Sequence, residues 1–106
     1  MATQPEQAPI LRLLATMTAA SIEASNLDPE TLMLVRVAAL VAVDAPAVSY
    51  MMNLRVAGEA GVNEEQVEGV LAAVAPIVGT SRVVAAATHM MQALDLKLDL
   101  EELAGE

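Results

Sequence analysis

Apolar residues recur at helical spacing along almost the whole chain, and no stretch alternates apolar and polar residues as a half-buried strand would. Pro9 suits the first position of a helix that we expect to run to about Ser25, and Asn26 suits a left-handed residue that ends it. We expect this helix to bury a broad apolar stripe, which consists of Ile10, Leu13, Leu14, Met17 and Ile22.

A second helix is predicted to run from Pro29 to about Val43. Asp28 can cap it, because its carboxylate can accept hydrogen bonds from the free N–H groups of the first turn. Pro29 fits that turn because it needs no backbone donor. The helix is apolar on almost every side, which is typical of a helix surrounded by others, so we expect it to be the central one.

The third and fourth helices also have recognisable ends. Asp44 can cap the third, with Pro46 in its first turn, and Gly61 can end it. The sequence Asn-Glu-Glu-Gln at 63–66 predicts a capping box that opens the fourth helix. Pro76 removes one backbone hydrogen bond from that helix, so we expect a kink or an early end there.

The last helix follows Gly79, which closes the fourth, and reaches about Leu94 after a cap by Thr80 or Ser81. Residues 95–106 form an acidic end, and four leucines there could still dock on the core: Leu96, Leu98, Leu100 and Leu103. The pattern therefore predicts an all-α fold, in which residues 1–106 form a single compact domain of about five helices joined by short turns.

The composition raises the question of a membrane, because 56% of the residues are hydrophobic and mean hydropathy is +0.52. A spanning helix needs roughly 20 apolar residues in a row. Arg36 interrupts the apolar stretch 32–43, and the stretch 70–81 is too short. The start of the chain lacks the early basic residues of a secretory signal. We therefore expect a cytoplasmic protein that does not enter a membrane.

Chain length, apolar content and net charge indicate which binding partners to expect. So much apolar surface exceeds what the core of a 106-residue monomer can bury, which favours a homo-oligomer. Tyr50 is the only aromatic residue, so seven methionines and many alanines, valines and leucines must fill the core and the subunit contacts. The net charge of −9 opposes binding to nucleic acid, which needs clustered lysine and arginine.

Four sequence pieces follow one another in a recognisable order. They are Leu-Asp-Pro-Glu-Thr at 27–31 before an apolar helix, Glu-Ala-Gly-Val-Asn-Glu-Glu-Gln-Val at 59–67, Ala-Pro-Ile-Val-Gly at 75–79, and Arg82 after a small residue. Their order and spacing between residues 27 and 94 resemble the core of the carboxymuconolactone decarboxylase-like and alkylhydroperoxidase-D-like family. The resemblance implies an alkylhydroperoxidase-D-like helical fold and an assembly of trimers or hexamers.

Family members with peroxidase activity carry a Cys-x-x-Cys-x-x-x-His signature on the third helix. By resemblance the signature falls on Pro46, Ser49 and Asn53, and a glutamate that supports it falls on Met33. The chain has no cysteine, and peroxide reduction of this kind needs a thiolate nucleophile and a second thiol. The resemblance therefore implies a member without thiol peroxidase activity, and we expect no cofactor.

The same face of the third helix offers a candidate ligand pocket. Ser49, Tyr50 and Asn53 form a polar strip that could hold a small ligand, or that could instead hydrogen-bond to nearby backbone or a partner subunit. Arg36, in the middle of an apolar helix, needs an anionic or carbonyl partner. That partner is either a bound small carboxylate or an acid of the same or another subunit, for which the candidates are Asp44, Glu59 and Glu68.

His89 is the only histidine and lies seven residues after Arg82, on the same face of the fifth helix. Its side chain is the one that titrates nearest neutral pH, which makes it the candidate general acid or base, although packing or interface contact is the commoner role of a lone histidine. The glutamates at 64–68 open a helix and are expected to be solvated. We expect no bound metal.

Three functions remain open from the sequence. The first is a non-redox oligomeric helical protein that kept the assembly of its relatives without their thiol site. The second is a non-redox enzyme or binder that acts on a small carboxylate or lactone. The third is a subunit of a larger complex whose acidic end, residues 95–106, recruits a basic partner.

Overall fold

The structure, a computed structural model, describes the backbone of residues 8–104 and the side chains of residues 8–96, 99 and 102. That part of the chain folds into five α-helices and contains no strand. The helices are α1 (Pro9–Ser25), α2 (Pro29–Ala42), α3 (Ala47–Glu59), α4 (Glu64–Val78) and α5 (Thr80–Ala104). The predicted all-α fold is confirmed.

Local hydrogen bonds explain the starts of α2 and α4. Asp28 accepts hydrogen bonds from the backbone N–H of Thr31 at 3.2 Å and from its hydroxyl at 2.7 Å. Asn63 accepts from the backbone N–H of Gln66 at 2.8 Å, and the Gln66 side chain accepts from the backbone N–H of Asn63 at 2.9 Å. Both predicted caps are confirmed, as is the left-handed Asn26 (φ 56°) at the end of α1.

The predicted cap of α3 by Asp44 is wrong, because Asp44 ends α2 instead. Its backbone is left-handed (φ 56°), its N–H donates to the carbonyl of Val41, and the next N–H, of Ala45, donates to the carbonyl of Leu40. These two bonds form a Schellman motif, which satisfies the last carbonyls of a helix. Pro46 is the residue before the first turn of α3 and caps it only through its backbone carbonyl.

Two glycines end helices at positive φ, where a Cβ atom would be strained. Gly61 (φ 100°) follows α3 as predicted, and the N–H of Val62 donates to the carbonyl of Ala57 in a second Schellman motif. Gly79 (φ 93°) follows α4. Of the two outcomes predicted at Pro76, the early end is wrong, since α4 continues to Val78.

The fifth helix differs from its prediction at both ends. Thr80 is its first helical residue, so neither Thr80 nor Ser81 stands before the helix as a cap. The helix continues past Leu94 to Ala104. Between residues 80 and 103 there is no glycine or proline to interrupt the backbone hydrogen bonds, so residues 95–104 of the acidic end extend the same helix. Even so, no helix in the described part of the chain is long and apolar enough to cross a lipid bilayer.

The core forms around α2, which packs against α3, α4 and α5, so its predicted central place is confirmed. Val37 and Val41 of α2 and Tyr50 of α3 are completely buried. One buried cluster joins α2, the connection after it, α3 and α5 through Val41, Ala45, Tyr50, Ala86 and Ala93. A second cluster joins α2, α3 and the connection to α4 through Met33, Ala57 and Val62.

The first helix lies outside this core. No residue of α1 is buried, and Ile10 and Leu11 are 65% and 69% exposed. The buried stripe predicted for α1 is therefore wrong within a single chain. The radius of gyration is 15.3 Å, against about 13 Å for a globular domain of this length. The chain is thus more extended than a globular domain of this length.

Candidate functional site

A cleft of about 560 Å³ lies between α1, α2 and α3. It is named the arginine cleft here, and its lining residues are Thr18, Ile22, Leu27, Pro29, Leu32, Met33, Arg36, Met52, Asn53, Arg55, Val56 and Ala60. Most of these side chains are apolar, and the polar groups are concentrated on α2 and α3. This combination is typical of a small-molecule site.

Helical spacing brings the lining residues of α2 and α3 together. Leu32 and Arg36 are four residues apart on α2, so they lie on one face. Met52 and Val56 have the same relation on α3. These two faces form adjacent walls of the cleft.

Arg36 is half-buried at the edge of the cleft, and its Nη2 donates a hydrogen bond to the hydroxyl of Ser21 on α1 at 3.0 Å. Within one chain, the ion pair predicted with Asp44, Glu59 or Glu68 is absent: among the described side chains, no carboxylate lies within ion-pair distance of Arg36. A guanidinium has five N–H donors. Arg36 therefore keeps donors for a further acceptor.

Asn53 and Arg55 supply the other polar groups. The Nδ2 of Asn53 donates to the backbone carbonyl of Ser49 at 2.9 Å, which leaves its Oδ1 as an acceptor. Arg55 brings a second guanidinium, and no described carboxylate lies within ion-pair distance of it either. Arg55 was not among the sequence candidates, because its position three residues after Met52 does not show which side of α3 faces the cleft.

Tyr50 and His89, the other sequence candidates, lie together outside the arginine cleft. Their ring centres are 6.4 Å apart, and the Nδ1 of His89 is 3.8 Å from a carboxylate oxygen of Asp44. The Tyr50 hydroxyl is buried and has no hydrogen-bond partner among the described residues. Burial and, secondarily, the charge of Asp44 raise the pKa of Tyr50. Arg82 also faces this region, where it donates to the carbonyl of Ala42 at 2.8 Å.

The four positions on which the family's thiol signature and its supporting glutamate fall lie in two different regions of the structure. Met33 and Asn53 line the arginine cleft. Pro46 is exposed at the start of α3, and Ser49 is half-buried and takes part through its backbone carbonyl. Of the predicted pocket residues, the structure thus brings together Arg36 and Asn53, and it places Ser49 and Tyr50 elsewhere.

The chemistry of the arginine cleft follows from its groups. Two guanidiniums and an amide can donate hydrogen bonds to an anion, and the apolar walls can hold a hydrocarbon part. None of the residues that line the cleft is a carboxylate or a histidine. Within the described residues there is also no group of three side chains placed to hold a metal ion. The arrangement suits recognition of an anion.

Comparison with known proteins identifies the family of the chain. The model of the carboxymuconolactone decarboxylase family matches residues 8–103, which include α1 to α4 and all of α5 except its last residue. No curated protein and no solved structure matches the chain. The cleft lies inside the matched range, and the match covers far more than half of the sequence. The chain belongs to the carboxymuconolactone decarboxylase family.

Proposed function

We propose that this protein is a non-redox, homo-oligomeric member of its family that binds a small carboxylate in the arginine cleft. The observation that carries the proposal is the pair Arg36 and Arg55, two guanidiniums that line one apolar cleft without a described carboxylate in ion-pair distance. Guanidinium geometry matches carboxylate geometry, and a charged hydrogen bond contributes about 1.5–3 kcal/mol. A ligand anion would supply the missing partner.

The size and walls of the cleft support a small organic acid. Ligand pockets commonly measure roughly 300–1,000 Å³, and the arginine cleft falls inside that range. Leu32, Met52 and Val56 present hydrocarbon surface beside the arginines. These walls favour an acid that carries a ring or a short chain over an inorganic anion.

The absence of redox chemistry is inferred from the side chains. With no cysteine, the chain cannot form the thiolate that peroxide reduction requires. Met33 and Asn53 line the arginine cleft, and by resemblance they stand where the family has its glutamate and histidine. His89, the candidate general acid or base, is outside the cleft beside Tyr50. These positions favour binding over proton transfer.

Titration calorimetry with benzoate and with benzamide, which has the same shape and no charge, tests the proposal. We expect the protein to bind benzoate in preference to benzamide. Arg36→Gln or Arg55→Gln should weaken benzoate binding about 10-fold or more, since the loss of a charged hydrogen bond exceeds the roughly 1.4 kcal/mol of a tenfold change. Asn53→Ala should have a smaller effect.

Arg12→Gln is the matched control, because it removes a guanidinium from α1 outside the cleft. It should leave benzoate affinity unchanged. Equal binding of benzoate and benzamide, or equal losses in the Arg36 and Arg12 variants, would contradict carboxylate recognition in the cleft.

A further inference from the structure

The N-terminal half of α1 carries an apolar stripe with no cover in the described chain. Ile10, Leu13, Leu14 and Met17 lie at positions i, i+3, i+4 and i+7, so they share one side of the helix. Their side chains are 65%, 54%, 49% and 55% exposed. This spacing is the one by which an amphipathic helix anchors in a groove of a partner.

A second uncovered apolar surface lies between α3, α4 and α5. It is a groove of about 570 Å³, named the methionine groove here, whose apolar walls include Leu54, Val67, Leu71, Met90, Met91 and Leu94. Met91 and Leu94 are 71% and 54% exposed. Methionine side chains are flexible and polarisable, so such a groove can adapt to the side chains of an entering helix.

The α1 helix of the same chain is held away from this groove. Residues 26–28 are the whole connection between α1 and α2, and the bond from Arg36 to Ser21 ties α1 to α2. The groove is formed by α3, α4 and α5. An α1 helix that enters the groove must therefore come from another copy of the chain.

Charge supports the same pairing. The start of α1 has no side-chain cap and no acid in its first turn, and Arg12 is its only charged residue before Glu23. Free N–H groups and the helix macrodipole make such an end positive. Glu64 and Glu68 line the methionine groove. In a chain of net charge −9, the described part of α1 thus offers a positive helix end to an acidic groove.

We propose that the stripe of α1 in one copy docks into the methionine groove of a second copy. The inference rests on the homo-oligomer proposed above and names the two surfaces that meet. Reciprocal docking between two copies gives a closed dimer, and docking from each copy to the next gives a ring. In either case each chain contributes one helix and one groove.

The test is the molar mass in solution, measured by size-exclusion chromatography with light scattering. Leu14→Glu places a charge in the stripe and Met91→Glu places one in the groove, and each should convert the assembly to monomer. Ile77→Glu is the control, because Ile77 is 86% exposed on α4 and lies outside both surfaces. Its assembly should equal that of the wild type. All three positions are exposed, and circular dichroism checks that the helices remain.

Mixing separates this docking from other contacts. A Leu14→Glu chain keeps its groove and a Met91→Glu chain keeps its helix, so the mixture regains one intact contact and should associate where each variant alone does not. Variants that keep the wild-type mass would overturn the docking and leave the homo-oligomer standing. Dissociated variants that fail to associate on mixing would overturn the pairing of these two surfaces. A monomeric wild type would overturn both proposals.

Discussion

The first two helices are alike in sequence and opposite in environment. Each begins with a proline, and each is mostly apolar, over 17 residues in α1 and 14 in α2. Yet α2 buries Leu32, Met33, Val37 and Val41, whereas α1 buries no residue. The difference shows that apolar content favours the burial of a helix but does not decide which surface covers it.

Neighbours account for the difference. The α2 helix has α3, α4 and α5 around it, so its side chains leave water when the single chain folds. The α1 helix lines the arginine cleft through Thr18 and Ile22 and bonds to Arg36 through Ser21, and none of its residues is buried. Substitutions in α2 should therefore change the folding of the chain, and substitutions in α1 should change its assembly.

The largest expected contrast comes from the same substitution at two methionines. Met33 on α2 is 3% exposed and Met17 on α1 is 55% exposed. Met33→Ala should lower the free energy of unfolding by about 2–5 kcal/mol, because it leaves a cavity in the core. Met17→Ala should change the stability of the single chain by less than about 0.5 kcal/mol. Urea unfolding followed by circular dichroism gives both values.

The stability losses in these two variants should also depend differently on protein concentration. The loss in Met33→Ala should be the same at every concentration, because the side chain packs within one chain. The loss in Met17→Ala should grow with concentration, because association stabilises the folded state by mass action. Equal, concentration-independent losses would show that α1 is packed as α2 is.

A smaller effect is expected at Tyr50, where α3 joins the core around α2. Its buried hydroxyl has no partner, and a buried unsatisfied polar group destabilises a fold. Tyr50→Phe should therefore raise the free energy of unfolding by about 1 kcal/mol at neutral pH. A loss of stability would mean that the hydroxyl has a partner in solution.

The same residue predicts an alkaline effect. Burial and Asp44 raise the pKa of Tyr50 in the folded chain above the ordinary 10.0, so folding favours the neutral phenol. The stability that depends on this residue is complete below pH 10.0 and is lost as pH rises through the folded pKa. Tyr50→Phe should remove this part of the alkaline loss. Because Tyr50 is the only tyrosine, tyrosinate absorbance reports its ionisation directly.

The smallest effect is expected at Asp28, in the connection between the two helices. Hydrogen bonds from the hydroxyl and the backbone of Thr31 lower the pKa of Asp28 from its ordinary 3.8. Its contribution to stability is therefore present above pH 3.8 and is lost as pH falls through the folded pKa. Asp28→Asn keeps a capping side chain that does not titrate. Its urea midpoint should fall less than that of the wild type in acid, and parallel curves would contradict the assignment.

The arginine cleft could be predicted only in part. Arg36 stood out because a guanidinium in an apolar helix needs a partner, and Asn53 because it falls on the family signature. Arg55 could not be assigned to the cleft, since the residues before it, Met-Met-Asn-Leu at 51–54, do not fix how α3 is rotated. Tyr50 was placed in the pocket because the sequence does not fix how α3 is rotated. In the structure its side chain faces His89 on α5.

The homo-oligomer and the carboxylate ligand remain predictions. Both concern surfaces that would be covered by a molecule other than the single chain. The sequence by itself determined the helices and most of their ends, because Asp28, Asn63, Gly61 and Gly79 act on hydrogen bonds within a few residues. It also determined the lack of thiol chemistry, because no cysteine is present.

Only the tertiary structure decided which apolar faces are covered. Burial depends on contacts between residues far apart in the chain, and an apolar stripe looks the same in sequence whether it meets a neighbour or water. Asp44 shows the same limit on a smaller scale. Its residue type suits a helix start, but its own N–H donates to the carbonyl of Val41 and the next N–H, of Ala45, donates to the carbonyl of Leu40, so it ends α2.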